Sequence, residues 1–142
     1  MGSWLQSYRR LWTHATSEEA LGFYSRLFDE APAAIIVTQP DFVIIDVNVA
    51  AQRLLQRPLA EIKGKGFQRI IAANDRTAFS VIASQIISEP GRVTRPLLLK
   101  CGDDQEVEVS LIASALRDDN GQPQSIVMIL LERGDNVTSD ML

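Results

Sequence analysis

Side chains able to do acid–base, redox or metal chemistry are few in this sequence and far apart. There is one histidine, His14, and one cysteine, Cys101. A Ser-His-Asp relay needs an imidazole beside its partners, and the one histidine, far upstream at residue 14, reads as exposed; a metal site built on two histidines has no second one in the chain. A lone cysteine forms no internal disulfide and no Cys-x-x-Cys motif. No glycine-rich phosphate loop follows a strand-like run. Enzymatic chemistry is therefore not expected. What remains is binding chemistry. In "DFVIIDVN", alternation along Phe42 to Val47 points Asp46 with Ile44 toward the core. There Asp46 is either a helix N-cap or hairpin hydrogen-bonding group, or an anchor for a ligand. Thr38, on the inner side of the preceding run, is the second polar candidate. His14 reads as an exposed helical histidine, and Arg95, beside Pro96, as a solvated edge residue.

The elements that must position these residues follow from patterning. The 142 residues are 46% hydrophobic and 23% charged, enough for one domain to bury a core without disulfides or metals. A formal charge of −4 gives no basic field for a phosphate backbone, so direct nucleic-acid binding is not expected. No apolar run approaches the ~20 residues of a membrane span, and no signal-peptide core opens the chain, so a cytoplasmic location is expected.

Trp4, Leu5, Tyr8, Leu11, Trp12 and Ala15 recur at helical spacing and predict an amphipathic helix over residues 3–15. Thr16 and Glu19 form a capping box for a second helix, residues 17–30, with Leu21, Tyr24, Leu27 and Phe28 on its apolar side and Pro32 beyond its end. Strands are predicted at 34–38 and 42–47, joined by the Gln39-Pro40-Asp41 turn. Asp46 and Asn48 both suit an N-cap for the short helix that follows. Further helical pieces are predicted near 59–62 and 67–71, then a longer helix to Ser88 capped by Asn74 or Asp75. Three strands, 93–101, 106–115 and 125–132, close the chain, separated by "GDD" and "RDDNGQP". Hairpin succession with the last strand beside the first gives an α+β fold: a five-stranded antiparallel sheet with helices on one face and an N-terminal helical extension. "SIVMILLE" is apolar on both sides, so the second face of the sheet needs a cover. The expected organisation is a helix at 1–16, a domain at 17–132 and a linker at 133–142.

These residues resemble the PAS family, over about Leu27 to Glu132. "APAAIIVTQPDFVIIDVN" resembles the family's opening hairpin with its Val-Asn ending, "AAQRLLQ" the next helix, "EIKGK" its Glu-x-x-Gly-Lys turn, "ANDRTAF" the Asp-Arg start of the long helix, and "KCGDDQEVEVSL" the later strand-turn-strand. There are departures. Phe42 stands where the family usually has the glycine of an Asp-Gly turn, and Gln56-Arg57 replaces a glycine-aromatic pair. Glu132-Arg133-Gly134 stands in place of the Asp-Ile-Thr ending.

The resemblance implies a sensory module of a signal-transduction protein, such as a histidine kinase or transcriptional regulator. Its sheet would cradle a pocket for a small, largely apolar ligand, roofed by the short helices, and an outer helix would mediate a homodimer. Ile36, Thr38, Ile44 and Asp46 would line that pocket from the hairpin. Leu54, Phe67, Ile71, Phe79 and Ile82 would line it from the helices, and Leu97, Leu99, Val107, Val109, Met128 and Leu130 from the last strands. Trp4, Leu5, Tyr8, Leu11 and Trp12 would form the dimer interface, and an output domain would lie on the same full-length chain. Haem is argued against, because the long helix presents Ala78 and Phe79 where an axial ligand would stand. Covalent flavin is argued against, because "GKGFQR" puts Phe67 where the light-sensing members carry their cysteine. Noncovalent flavin is left open by these motifs. The alternative is a module serving association alone, with a filled core and no physiological ligand.

Overall fold

The structure is a computed structural model and describes residues 17–133. The expected helix carrying Trp4, Leu5, Tyr8, Leu11 and Trp12, and the expected linker from residue 134 onward, lie outside the described residues. Helix α1 (Ser17–Glu30) runs to the approach of Pro32, as its pattern predicts. Of its apolar side only Phe28 is buried, while Leu21, Tyr24 and Leu27 are exposed. The helix therefore meets the body at its last turn, beside helix α2 (Val49–Leu55), and not along a sheet face.

Strands β1 (Ala34–Thr38) and β2 (Ile44–Val47) form the first hairpin. After α2 come helix α3 (Leu59–Ile62), a 3-10 turn at Phe67–Ile70 and a shorter one at Ala73–Asp75, and helix α4 (Arg76–Ser88). Strands β3 (Val93–Lys100), β4 (Glu106–Arg117) and β5 (Pro123–Glu132) complete the chain. The sheet order is β2-β1-β5-β4-β3, antiparallel throughout, so the last strand does lie beside the first. Helix α2 packs on β1, α3 on β2, and α4 on β3 and β4.

Register sets the faces. Leu111, Leu130 and Ala34 form one inner row, and Ala113, Met128, Ile36 and Val47 the next. The outward rows include Ile112, Ile129 and Ile35, then Ser114, Val127 and Val37. The expected alternation fails in β2. Thr38 pairs with Ile44, but Val37 pairs with Asp46, which leaves Ile45 as an extra residue in a β-bulge. Ile44 and Val47 are both buried, and Asp46 is turned to the outer row opposite Val37.

Both free edges of the sheet are blunted by the helical segment. At β2, the Ile44 N–H donates to the Lys65 carbonyl and the Gly64 N–H to the Ile44 carbonyl, each at 2.8 Å. At β3, the Ala72 N–H donates to the Leu98 carbonyl at 2.9 Å, and the Leu98 N–H to Asp75 Oδ2 at 2.8 Å. Pro96, which lacks an N–H, is tolerated because β3 is an edge strand.

Candidate functional site

Between the inner sheet face and the helices, Ile36, Ile44, Phe67, Ile71, Phe79, Ile82, Leu97, Leu99, Val109, Met128 and Leu130 meet in one buried cluster. Leu54 and Val107 are partly buried at its margin. Thr38 is fully enclosed, and its hydroxyl donates to the Gln39 carbonyl at 2.8 Å. That hydrogen is engaged by the chain itself, leaving only acceptor capacity for a guest. Asp46, expected among these residues, is not brought to them: the bulge turns it outward, where its carboxylate accepts the Val47 N–H at 3.0 Å.

Two residues of this region were not placed among the site residues by sequence reasoning. Phe42 is buried, and its ring meets Phe79 edge-on at 5.4 Å. Phe79 in turn meets Phe67 at 5.2 Å, so three rings occupy the space under the short helices. The second is Asn48, read only as a helix cap. It does cap α2, with the Ala51 N–H donating to its Oδ1 at 3.0 Å, yet the same oxygen also accepts the Ile35 N–H. Its Nδ2 donates to the carbonyls of Phe28 and Ala33, each at 2.9 Å. Only sequence-distant partners give it that role, so the local pattern carried no sign of it.

At the rim, a cleft of about 500 Å³ separates α1 from the body between Tyr24 and Phe28 on one side and Asp46, Val49 and Leu59 on the other. A shallow groove of about 490 Å³ runs by Ala33, Arg53, Leu54 and Leu131. A smaller cleft of about 170 Å³ opens beside Arg57, Glu61, Lys65 and Arg69. Cys101 is buried and unpaired, and burial pushes its thiol pKa up; Arg57 opposes the rise and Glu132 adds to it. Among the described residues no group of three or more His, Cys, Asp or Glu side chains could hold a metal ion. No described helix is long and apolar enough to cross a membrane.

A family model described as the PAS fold matches residues 28–137. The chain belongs to the PAS family. PAS domains are modules of sensory signal-transduction proteins and are generally non-enzymatic. Solved PAS structures are similar to this one. The PAS domain of an HTR-like protein from Haloarcula marismortui superposes with a TM-score of 0.69 at 19% identity, covering 89% of this chain and 98% of that one. A domain of a sensory box sensor histidine kinase/response regulator from Geobacter sulfurreducens gives 0.66 at 16% identity, covering 82% and 96%. An RNA-binding Light-Oxygen-Voltage receptor gives 0.76 at 23% identity, covering 89% of this chain and 37% of that one. Comparison with curated proteins finds no match.

The family's usual glycine positions are informative in this PAS domain. Phe42 has φ of 68° and Gln56 φ of 54°, both in the left-handed region that favours glycine. At Phe42 the turn survives because the Phe42 N–H donates to the Gln39 carbonyl at 2.8 Å, and the ring gains burial against Phe79. Burying a phenylalanine stabilises by roughly 1.5–3 kcal/mol, more than the ~1–2 kcal/mol that a left-handed residue costs.

Proposed function

We propose that this PAS domain is a regulatory module of a signal-transduction protein that works as a homodimer through the outward face of its sheet and acts on an output domain of the same full-length chain. The observation that carries this reading is the apolar outer row of Ile35, Ile129 and Ile112, with Leu131 and Leu116 exposed nearby. The two sheet edges are engaged at Ile44 and at Leu98, and Pro96 removes a further donor from β3, which disfavours strand addition and directs a second copy to the face. The expected helix of Trp4, Leu5, Tyr8, Leu11 and Trp12 supplies the apolar counterpart for that face.

The contacts among Phe42, Phe67 and Phe79 favour association as the primary role, because the rings take up space that a deep ligand would need. A small apolar ligand remains the second reading, supported by the predominantly apolar surroundings, in which Thr38 and Asn48 are the buried polar residues. It would enter by displacing Phe67 or Phe79. Phe67, buried at the position expected to bear a cysteine in light-sensing relatives, offers no thiol for covalent flavin.

Native mass spectrometry of the 142-residue chain and of Ile129→Glu tests both readings. The expected result is a dimer for the wild type, a folded monomer for the variant, and no additional bound mass. A monomeric wild type, or a variant that stays dimeric, overturns the proposed interface; a stoichiometric bound apolar compound makes the ligand reading primary.

A further inference from the structure

The small cleft beside α3 lies away from the dimer face and shares only its floor, Ile44, Ile62 and Ile70, with the apolar cluster, and its charged side chains point to a different chemistry. Arg57, Lys65 and Arg69 line it from three separate segments, with Glu61 as the one acid among its lining residues. Three cations against one carboxylate converge here in a chain with 14 basic and 18 acidic residues, so this is a local reversal of the overall sign. None of the three takes part in an ion pair, the pairs among the described residues being Lys100 with Asp104 and Arg133 with Glu108. Arg57 is the least exposed of the three. Its Nη2 donates to the Cys101 carbonyl at a long 3.4 Å, and its Nε is buried with no acceptor. The accessible N–H groups of the arginines and the Lys65 ammonium are charge-assisted donors, and an oxyanion in the cleft is the group they suit.

The backbone under the cleft is held in place before any ligand arrives. Lys65 is pinned to β2 by the Ile44 N–H donating to its carbonyl at 2.8 Å, and Arg69 sits in the 3-10 turn closed by its own N–H on the Gly66 carbonyl at 3.1 Å. The floor is apolar: Ile44, Ile62 and Ile70 are all buried and all line the cleft. Its volume of about 170 Å³ is that of a few water molecules, below the ~300 Å³ where drug-sized or nucleotide-sized sites begin.

We propose that this cleft binds a small organic dianion, with oxyanion groups on Arg57, Lys65 and Arg69 and a short hydrocarbon body against Ile70, the most accessible of the three floor residues. An arginine fork and a lysine suit carboxylate and phosphate alike, so a short dicarboxylate and a small phosphate monoester share the recognised chemistry. A lone inorganic ion would leave the apolar floor unused.

Isothermal titration at fixed ionic strength with succinate, glycerophosphate and inorganic phosphate decides the matter. Saturable binding of succinate or glycerophosphate is expected, with the tighter of the two naming the source, and inorganic phosphate is expected to bind more weakly than that probe. Lys65 and Arg69 are exposed, so the double variant Lys65→Gln/Arg69→Gln should fold normally and lose affinity about tenfold or more. Glu61→Gln should tighten binding by removing a like charge, and Arg92→Gln, outside the cleft's lining, should leave it unchanged. No saturable binding of either organic probe, unchanged affinity in the double variant, or inorganic phosphate binding as tightly as both organic probes overturns the proposal. None of these substitutions touches the outward sheet face, so the outcome is separate from that of the Ile129→Glu experiment.

Discussion

Asn48 is completely enclosed, and every polar position of its amide has a partner. Two backbone N–H groups, of Ile35 and Ala51, donate to Oδ1, and two carbonyls, of Phe28 and Ala33, accept from Nδ2. That arrangement admits only one orientation of the amide. One side chain thus joins the end of α1, the link after it, β1 and the first turn of α2. Asn48→Ala would strand two donors and two acceptors in the interior, each costing roughly 1–3 kcal/mol where water cannot follow. A loss of about 3 kcal/mol or more is expected in urea denaturation, with α1 released from the body. Asn48→Asp keeps both bonds to Oδ1 but sets a second acceptor against two carbonyls, so it should also be strongly destabilised at neutral pH. If either variant denatures within about 1 kcal/mol of the wild type, the amide is not the tie that its geometry describes.

Helix α4 is held to the sheet at both ends, which is how the chain brings Phe79 and Ile82 over the inner face. Asp75 precedes the helix, but its carboxylate makes no cap bond to the first turn; it accepts the Leu98 N–H of edge strand β3 instead. At the other end, Arg117 of β4 donates to the Ile87 carbonyl at 2.6 Å. Asp75→Ala should therefore cost about 1–3 kcal/mol, as a charge-assisted bond does. Amide exchange should accelerate at Leu98 and its neighbours on β3 before the rest of the sheet responds; uniform acceleration across the sheet would argue against this local tie. Sequence reasoning placed α4 well because Phe79, Ile82 and Ile86 keep one face and Glu89-Pro90-Gly91 interrupts it, signals that are local. It found both edges of the final hairpins for the same reason. It missed where the carboxylate of Asp75 goes, since a helix cap and a strand contact look alike in one dimension. It likewise mistook Asp46, because strict alternation has no means of registering a single extra residue such as Ile45. The inner apolar set was legible residue by residue, whereas the three-ring filling by Phe42 was not, for a ring following a left-handed turn residue's own backbone obeys no strand period.

At the scale of the whole domain, Cys101 marks the meeting of distant parts. It follows β3 directly, next to Gly102, where an added Cβ would come within 2.7 Å of the Gln56 carbonyl oxygen behind α2. The thiol is buried at the junction of the β3–β4 hairpin with the helical layer, so reaching it requires those layers to separate. Burial raises its pKa in the folded state, Arg57 opposing and Glu132 reinforcing. The linkage sign follows directly: below the unfolded thiol's pKa of about 8.5, folded and unfolded chains both keep the proton and stability is unaffected. As pH rises beyond that point the unfolded chain releases its proton while the folded chain retains it, so the unfolded state is favoured. Stability should fall with rising pH from about 8.5 toward the raised folded value. Lysines and tyrosines titrate in the same range, so the decisive quantity is a difference between proteins. Urea denaturation of the wild type and of Cys101→Ala at a series of alkaline pH values should show the wild type losing more stability per unit of pH. Thiol labelling of the native protein should be slow and should quicken in step with urea-induced opening. Equal pH slopes in the two proteins, or rapid labelling of the native state, would mean that the thiol is open to solvent and that the two layers part far more readily than their packing requires.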